Sequence, residues 1–192
     1  EFRRVLFRSG LGSAPTYEQV VARVAYNASA IYYGDPVNPD SNGNIVVGVT
    51  SASTGNTVIA GVFVGCKYLS VSQKRTVWSN FWGGSDVAST NSVEAYIIND
   101  PNARFVAQAS SSLTVGIADV NNNIGFNIGS GNATTGISGA YLDTVGTNST
   151  LPFRVIGLVT EPPGSNGTDI ASSGNYVIVG FNNVAAKQLT GV

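Results

Sequence analysis

TVIAGVFVGCKYLSVSQKRTVWSNFW, residues 57–82, is the stretch that decides the fold. Its side chains are mostly β-branched, aromatic or aliphatic, which are the types that fit a pleated, half-buried surface. No apolar stripe with helical spacing organises them, and two internal glycines oppose a helix interior. The stretch therefore predicts two strands joined by a polar corner at 70–74. The second strand, 75–82, should end at the turn signal GGSD in 83–86.

The rest of the chain continues as short apolar runs separated by turn residues. Residues 17–26 fit either a helix or a strand, and we favour extended structure. VEAYII (93–98) and RFVAQ (104–108) flank the turn signal NDPN, which predicts a hairpin. About ten to twelve short strands result, so the sequence predicts a mainly β, single-domain β-sandwich or β-barrel with long loops rich in glycine, serine and asparagine.

Charge is scarce in this chain. Charged residues make up 11% of its 192 residues, and the formal net charge is −1, whereas an average globular domain has roughly 25% charged residues. Such a chain has no basic field for nucleic acid and no run of about 18 apolar residues that would span a membrane. We therefore expect neither nucleic acid nor a membrane as a partner. The single cysteine, Cys66, is predicted to be a small buried hydrophobe.

The first nine residues, EFRRVLFRS, differ in composition from the rest because they carry three arginines. A signal peptide would need an apolar segment after the basic one, and none follows. A basic arm that binds nucleic acid is an alternative. The abrupt change at residue 10 favours translated adaptor sequence or a disordered arm, followed by a single β-rich domain at 10–192.

The sequence contains few residues that could form a catalytic site. The sequence contains no histidine, which excludes the Ser-His-Asp and Cys-His systems and most catalytic zinc sites. Paired carboxylates would suffice for a glycoside hydrolase, but several aspartates stand in predicted turns, and Glu94 is predicted to form a cross-strand ion pair with Arg104. Residues 40–44 and 119–123 do not match a calcium loop. We expect no catalytic residue, metal or cofactor.

The aromatic residues Trp78, Phe81 and Trp82 are the best candidates for a binding role. They could stack a sugar or a base, but aromatic side chains beside an apolar strand more often belong to a core or a subunit interface. Lys74 and Arg75 would lie at their rim. Since Trp and Arg are the usual anchors of interfaces, these five residues predict a subunit or shell interface.

Several segments together resemble a known family. They are LGSAPTYEQ, IYYGDPV, GVFVGCKYLSVSQKRTVWSNFWGGSD, AYIINDPNARFVAQ, GNATTGISGAYLD and LPFRVIGLV, which cover most of residues 11–159. These segments resemble small virion structural proteins of tailed bacteriophages, particularly marine ones, of the capsid decoration or head-stabilising type. Family members should carry a short N-terminal segment of their own where this chain has EFRRVLFRS.

The resemblance implies a β-rich subunit on the exterior of an icosahedral capsid. Its partners would be the major capsid protein of the same phage and further copies of itself, most often as a trimer. The resemblance supplies no catalytic residues. The alternative from another class is a carbohydrate-binding or adhesin-type β domain of a phage fibre or a bacterial surface, and a glycan hydrolase ranks third.

Overall fold

The computed structural model describes residues 3–4, 19–49, 58–89, 91–163 and 167–187. These residues form two six-stranded antiparallel sheets with short 3₁₀ helices at Ile117–Asp119 and Ala185–Lys187. The strands are β1 (Arg3–Arg4), β2 (Gln19–Val24), β3 (Pro36–Pro39), β4 (Ile45–Val47), β5 (Gly61–Leu69), β6 (Thr76–Ser79), β7 (Val93–Ile98), β8 (Arg104–Gln108), β9 (Asn123–Asn127), β10 (Tyr141–Gly146), β11 (Phe153–Leu158) and β12 (Tyr176–Phe181).

The first sheet has the order β1-β8-β12-β11-β9-β10, and the second has the order β2-β7-β5-β3-β4, with β6 paired to β5. Neither sheet closes on itself, so the chain is a β-sandwich and the barrel alternative is wrong. The β5–β6 hairpin has its polar corner where the sequence predicts it, and β2 confirms extended structure within 17–26. No helix in the described parts of the chain is long and apolar enough to cross a membrane.

Two hydrophobic cores lie on opposite sides of the second sheet. The first core fills the space between the sheets with phenylalanines of the first sheet, and Val62 and Ile98 of the second sheet complete it. The second core contains Phe63 and Ile97, which are the sequence neighbours of those two residues, and also Trp82. Because neighbouring side chains of a strand point to opposite faces, β5 and β7 supply residues to both cores.

The predicted hairpin of 93–98 with 104–108 is wrong. β7 belongs to the second sheet and β8 to the first, so the turn between them carries the chain across the sandwich. Asp100 builds this turn, because its carbonyl accepts a hydrogen bond from the backbone of Ala103 (2.9 Å) and its carboxylate accepts one from the backbone of Asn102 (2.8 Å). Ile98 and Phe105, on either side of the turn, both face the first core.

Two other predicted segments, 75–82 and 1–9, differ less from the structure. The strand predicted at 75–82 is shorter, Thr76–Ser79, because the chain leaves β5 at residue 80. Of the first nine residues only Arg3 and Arg4 are described, as a strand antiparallel to β8. The remainder of that segment lies outside the described residues, so the interpretation of 1–9 as adaptor sequence or a disordered arm stays a prediction.

Candidate binding surfaces on the second sheet

The structure distributes the five predicted interface residues over four environments. Trp82 lies in the second core with no exposed surface. Its indole Nε1 donates a hydrogen bond to the carbonyl oxygen of Ala28 (3.2 Å), and its ring meets Tyr68 edge to face at 5.3 Å. Trp82 is therefore a core residue, and we remove it from the candidate interface.

Phe81 is half-buried beside the end of β6. Its ring stacks on Tyr32, with centroids 5.6 Å apart and planes inclined by 7°. Its carbonyl oxygen accepts a weak hydrogen bond from the Cys66 thiol (3.4 Å). Burial raises the pKa of Cys66 to about 12, so the thiol stays protonated and acts as a small apolar side chain, as predicted. Phe81 thus supports the loop that leaves β6.

Trp78 is the exposed aromatic residue of the predicted set, with 68% of its surface accessible. Its ring stacks on Tyr96, with centroids 5.7 Å apart and planes inclined by 8°. β6 and β7 flank β5 on opposite sides, so this stack must reach across β5. The position opposite Tyr96 on β5 is Gly65, which stands at a β-bulge and carries no side chain. We call the exposed surface formed by Trp78, Tyr96, Lys67 and Glu94 the aromatic face.

The charges of the aromatic face are paired with each other. Lys67 Nζ lies 2.9 Å from Glu94 Oε2 and 5.1 Å from the centre of the Trp78 ring. The Tyr96 hydroxyl donates a hydrogen bond to Glu94 Oε1 (2.6 Å). The hydrogen bonds from Tyr96 and Lys67 lower the pKa of Glu94, and the hydrogen bond to Glu94 raises the pKa of Lys67. The ion pair of Glu94 is therefore with Lys67, which corrects the predicted pair with Arg104.

A cleft of about 400 Å³ opens beside Trp78 and Tyr96. Its polar lining comes from Gln19, Tyr33, Ser79 and Asn80. The Asn80 amide is fixed, because its Nδ2 donates a hydrogen bond to the carbonyl oxygen of Thr135 (2.8 Å). The cleft therefore combines a flat exposed aromatic ring with neutral amide and hydroxyl groups.

Lys74 and Arg75 lie at the exposed tip of the β5–β6 hairpin. Near this tip, Leu69 is 53% exposed and Val71 is 44% exposed. Both line a mainly apolar groove of about 390 Å³, together with Lys74 and Ala88. We call the group Leu69, Val71, Lys74 and Arg75 the hairpin end.

Hydrogen bonds to Asp86 hold the hairpin end in shape. Its carboxylate accepts hydrogen bonds from the Ser70 hydroxyl and from both the backbone (2.8 Å) and the hydroxyl (3.0 Å) of Ser72. The hydrogen bond from Ser70 is the main reason that the pKa of Asp86 is lowered. Ser70 and Arg75 close the turn with a backbone hydrogen bond of 3.0 Å. These hydrogen bonds order the tip of the hairpin although it is exposed to solvent.

The sequence did not identify Tyr96 or Lys67 as members of a site. The register of the hairpin could have indicated Lys67, because Lys67 lies opposite Trp78. Since a lysine is almost never fully buried, its position predicts that Trp78 reaches solvent as well. In the described parts of the chain, no three histidine, cysteine or acidic residues lie close enough together to hold a metal ion.

Comparisons with protein-family models, with curated proteins and with solved structures gave no match. The fold and these surfaces therefore define the chain as a β-sandwich with an exposed aromatic face and a basic, partly apolar hairpin end.

Proposed function

We propose that this chain is a structural component of a bacteriophage virion, a capsid decoration protein that binds the outside of the icosahedral head and stabilises it. Its partners are the major capsid protein of the same phage and further copies of itself, arranged as a trimer. The chain performs no catalysis in this role. The resemblance of residues 11–159 to head-stabilising proteins supports this proposal, as does the β-sandwich fold.

The observation that carries the proposal is the hairpin end. Leu69 and Val71 are about half exposed beside an apolar groove, and burying them against another protein would remove apolar surface from water. Lys74 and Arg75 add cations at the rim, where arginine is a frequent anchor. Since the Asp86 hydrogen bonds already order this turn, docking costs little conformational entropy.

The low charge of the chain agrees with a decoration role. With 11% charged residues and a net charge of −1, the polar side chains of the chain are mostly neutral hydroxyls and amides rather than charges. Such a surface offers few charges for nonspecific binding. Many copies that bind the assembled head more tightly than its separated subunits stabilise the head by mass action.

The test uses empty heads assembled from the major capsid protein of the same phage. We expect the chain to sediment with heads at a constant number of copies per head and to raise the temperature at which the heads open. Leu69→Ser combined with Arg75→Ala should weaken binding at least ten-fold, because it removes one apolar and one cationic contact. Ile117→Ser is the matched control, since Ile117 is 71% exposed and lies outside the second sheet.

Two results would contradict the proposal. One is a chain that does not sediment with heads at any concentration tested. The other is a double variant that binds heads as tightly as the Ile117→Ser control, which would remove the hairpin end from the interface.

A further inference from the structure

The aromatic face and its cleft carry an exposed aromatic ring and neutral polar groups that take no part in head binding through the hairpin end. Trp78 is 68% exposed but is held in place by its stack on Tyr96 and by the ammonium group of Lys67. The exposed part of this ring presents a flat aromatic surface, with a negative face, to solvent. This indole already has its orientation fixed, so a flat ligand that stacks on it restricts little further motion.

We propose that the cleft beside Trp78 binds a neutral pyranose sugar of a glycan. The C–H groups on one face of the sugar ring would pack on the face of the Trp78 indole that is not stacked on Tyr96, as partly positive hydrogens do on the negative face of an aromatic ring. The sugar hydroxyls would bond to the amides of Gln19 and Asn80 and to the hydroxyl of Ser79, which line the cleft. This goes beyond the proposed virion role and does not depend on it.

The size of the cleft and the nature of its polar groups favour a sugar. About 400 Å³ lies near the lower end of the range of roughly 300–1,000 Å³ for small-molecule sites. Amides and hydroxyls both donate and accept hydrogen bonds, which matches a ligand whose hydroxyls do the same. The fixed amide of Asn80, bonded to Thr135, would orient the ligand without moving.

The charges argue against an acidic ligand. The ammonium group nearest to Trp78, that of Lys67, is already paired with Glu94 at 2.9 Å. Arg23, on β2, also lies opposite Glu94 in the register, one strand further from Trp78. A nucleotide or an acidic sugar would need a cation beside the ring to neutralise it, and here the neighbouring cations face a carboxylate. A neutral sugar requires no such partner.

The two tryptophans give the experiment an internal control, because Trp82 is buried and Trp78 is exposed. The probes are cellohexaose, maltohexaose, mannohexaose and N-acetylchitohexaose, with a sialylated hexasaccharide as the acidic comparison. We expect at least one neutral probe to shift the fluorescence emission of Trp78 to shorter wavelength and to protect it from acrylamide. In a Trp82→Phe chain, where Trp78 is the only tryptophan, the same probe should cause the whole change.

Calorimetry on variants then assigns the site. Trp78→Ala should lower the affinity for the responding sugar at least ten-fold. Leu69→Ser with Arg75→Ala should leave that affinity unchanged, so that a failure of head binding and a failure of sugar binding are distinguishable. The inference is overturned if no neutral probe binds, if only the sialylated probe binds, or if Trp78→Ala binds the sugar as the unaltered chain does.

Discussion

Replacing each tryptophan by phenylalanine should separate the two roles that the structure gives them. Trp82→Phe deletes part of a fully buried ring and removes the donor to the carbonyl oxygen of Ala28. The lost hydrogen bond costs about 1 kcal/mol, and the lost buried atoms cost roughly 1–2 kcal/mol at about 0.8 kcal/mol for each methylene-sized group. We expect the free energy of unfolding to fall by about 2–3 kcal/mol. Trp78→Phe should change it by less than about 1 kcal/mol, since Trp78 is mostly exposed.

Urea unfolding followed by far-ultraviolet circular dichroism measures both variants without a tryptophan signal. With a denaturant slope of about 2 kcal/mol per molar, Trp82→Phe should lower the midpoint by about 1–1.5 M. Trp78→Phe should lie within a few tenths of a molar of the unaltered chain. Equal losses in the two variants, or a larger loss for Trp78→Phe, would refute the assignment of Trp82 to the core.

Three further predictions concern two buried side chains and one closely packed glycine. Because burial raises the pKa of Asp35, its stabilising contribution is complete below the unfolded-state pKa of about 4 and is lost as pH rises through the folded-state pKa. Asp35→Asn should therefore flatten the pH dependence of the urea midpoint above that value. Since Cys66 is buried and this burial raises its pKa to about 12, Ellman's reagent at pH 8 should label the native thiol no faster than the chain unfolds. Gly131→Ala should lower the free energy of unfolding by about 1–3 kcal/mol, because its Cβ would overlap the Tyr32 ring. The control Gly146→Ala has nothing within 4 Å, and an equal midpoint for the two alanine variants would contradict the close contact.

The β5–β6 hairpin was predictable because its signals are local. An apolar run, a polar corner and a second apolar run predict two strands that pair with each other in a hairpin. The connection from β7 to β8 was not predictable in the same way. The sequence NDPN at 99–102 turns the chain whether it returns to the same sheet or crosses to the facing one. The chain crosses to the facing sheet because Ile98 and Phe105 pack in the same core. This packing depends on distant residues, so no local sequence pattern predicts it.

The candidate surfaces were predictable only in part. The sequence identified Trp78, Lys74 and Arg75, which the structure exposes, but it grouped them with Trp82, which the structure buries. Trp82 follows the end of β6, so the alternation of that strand does not fix the direction of its side chain. A bridge between Trp82 and Ile31, which are far apart in sequence, places it in the core instead.

The two cores are connected through β5 and β7, since Val62 and Ile98 belong to one core while Phe63 and Ile97 belong to the other. Opening either core exposes one face of the same pair of strands, so neither half of the molecule forms a separate folding unit. The amide protons of β5 and β7 should therefore exchange with deuterium only when the whole domain unfolds, and they should be the slowest in the chain.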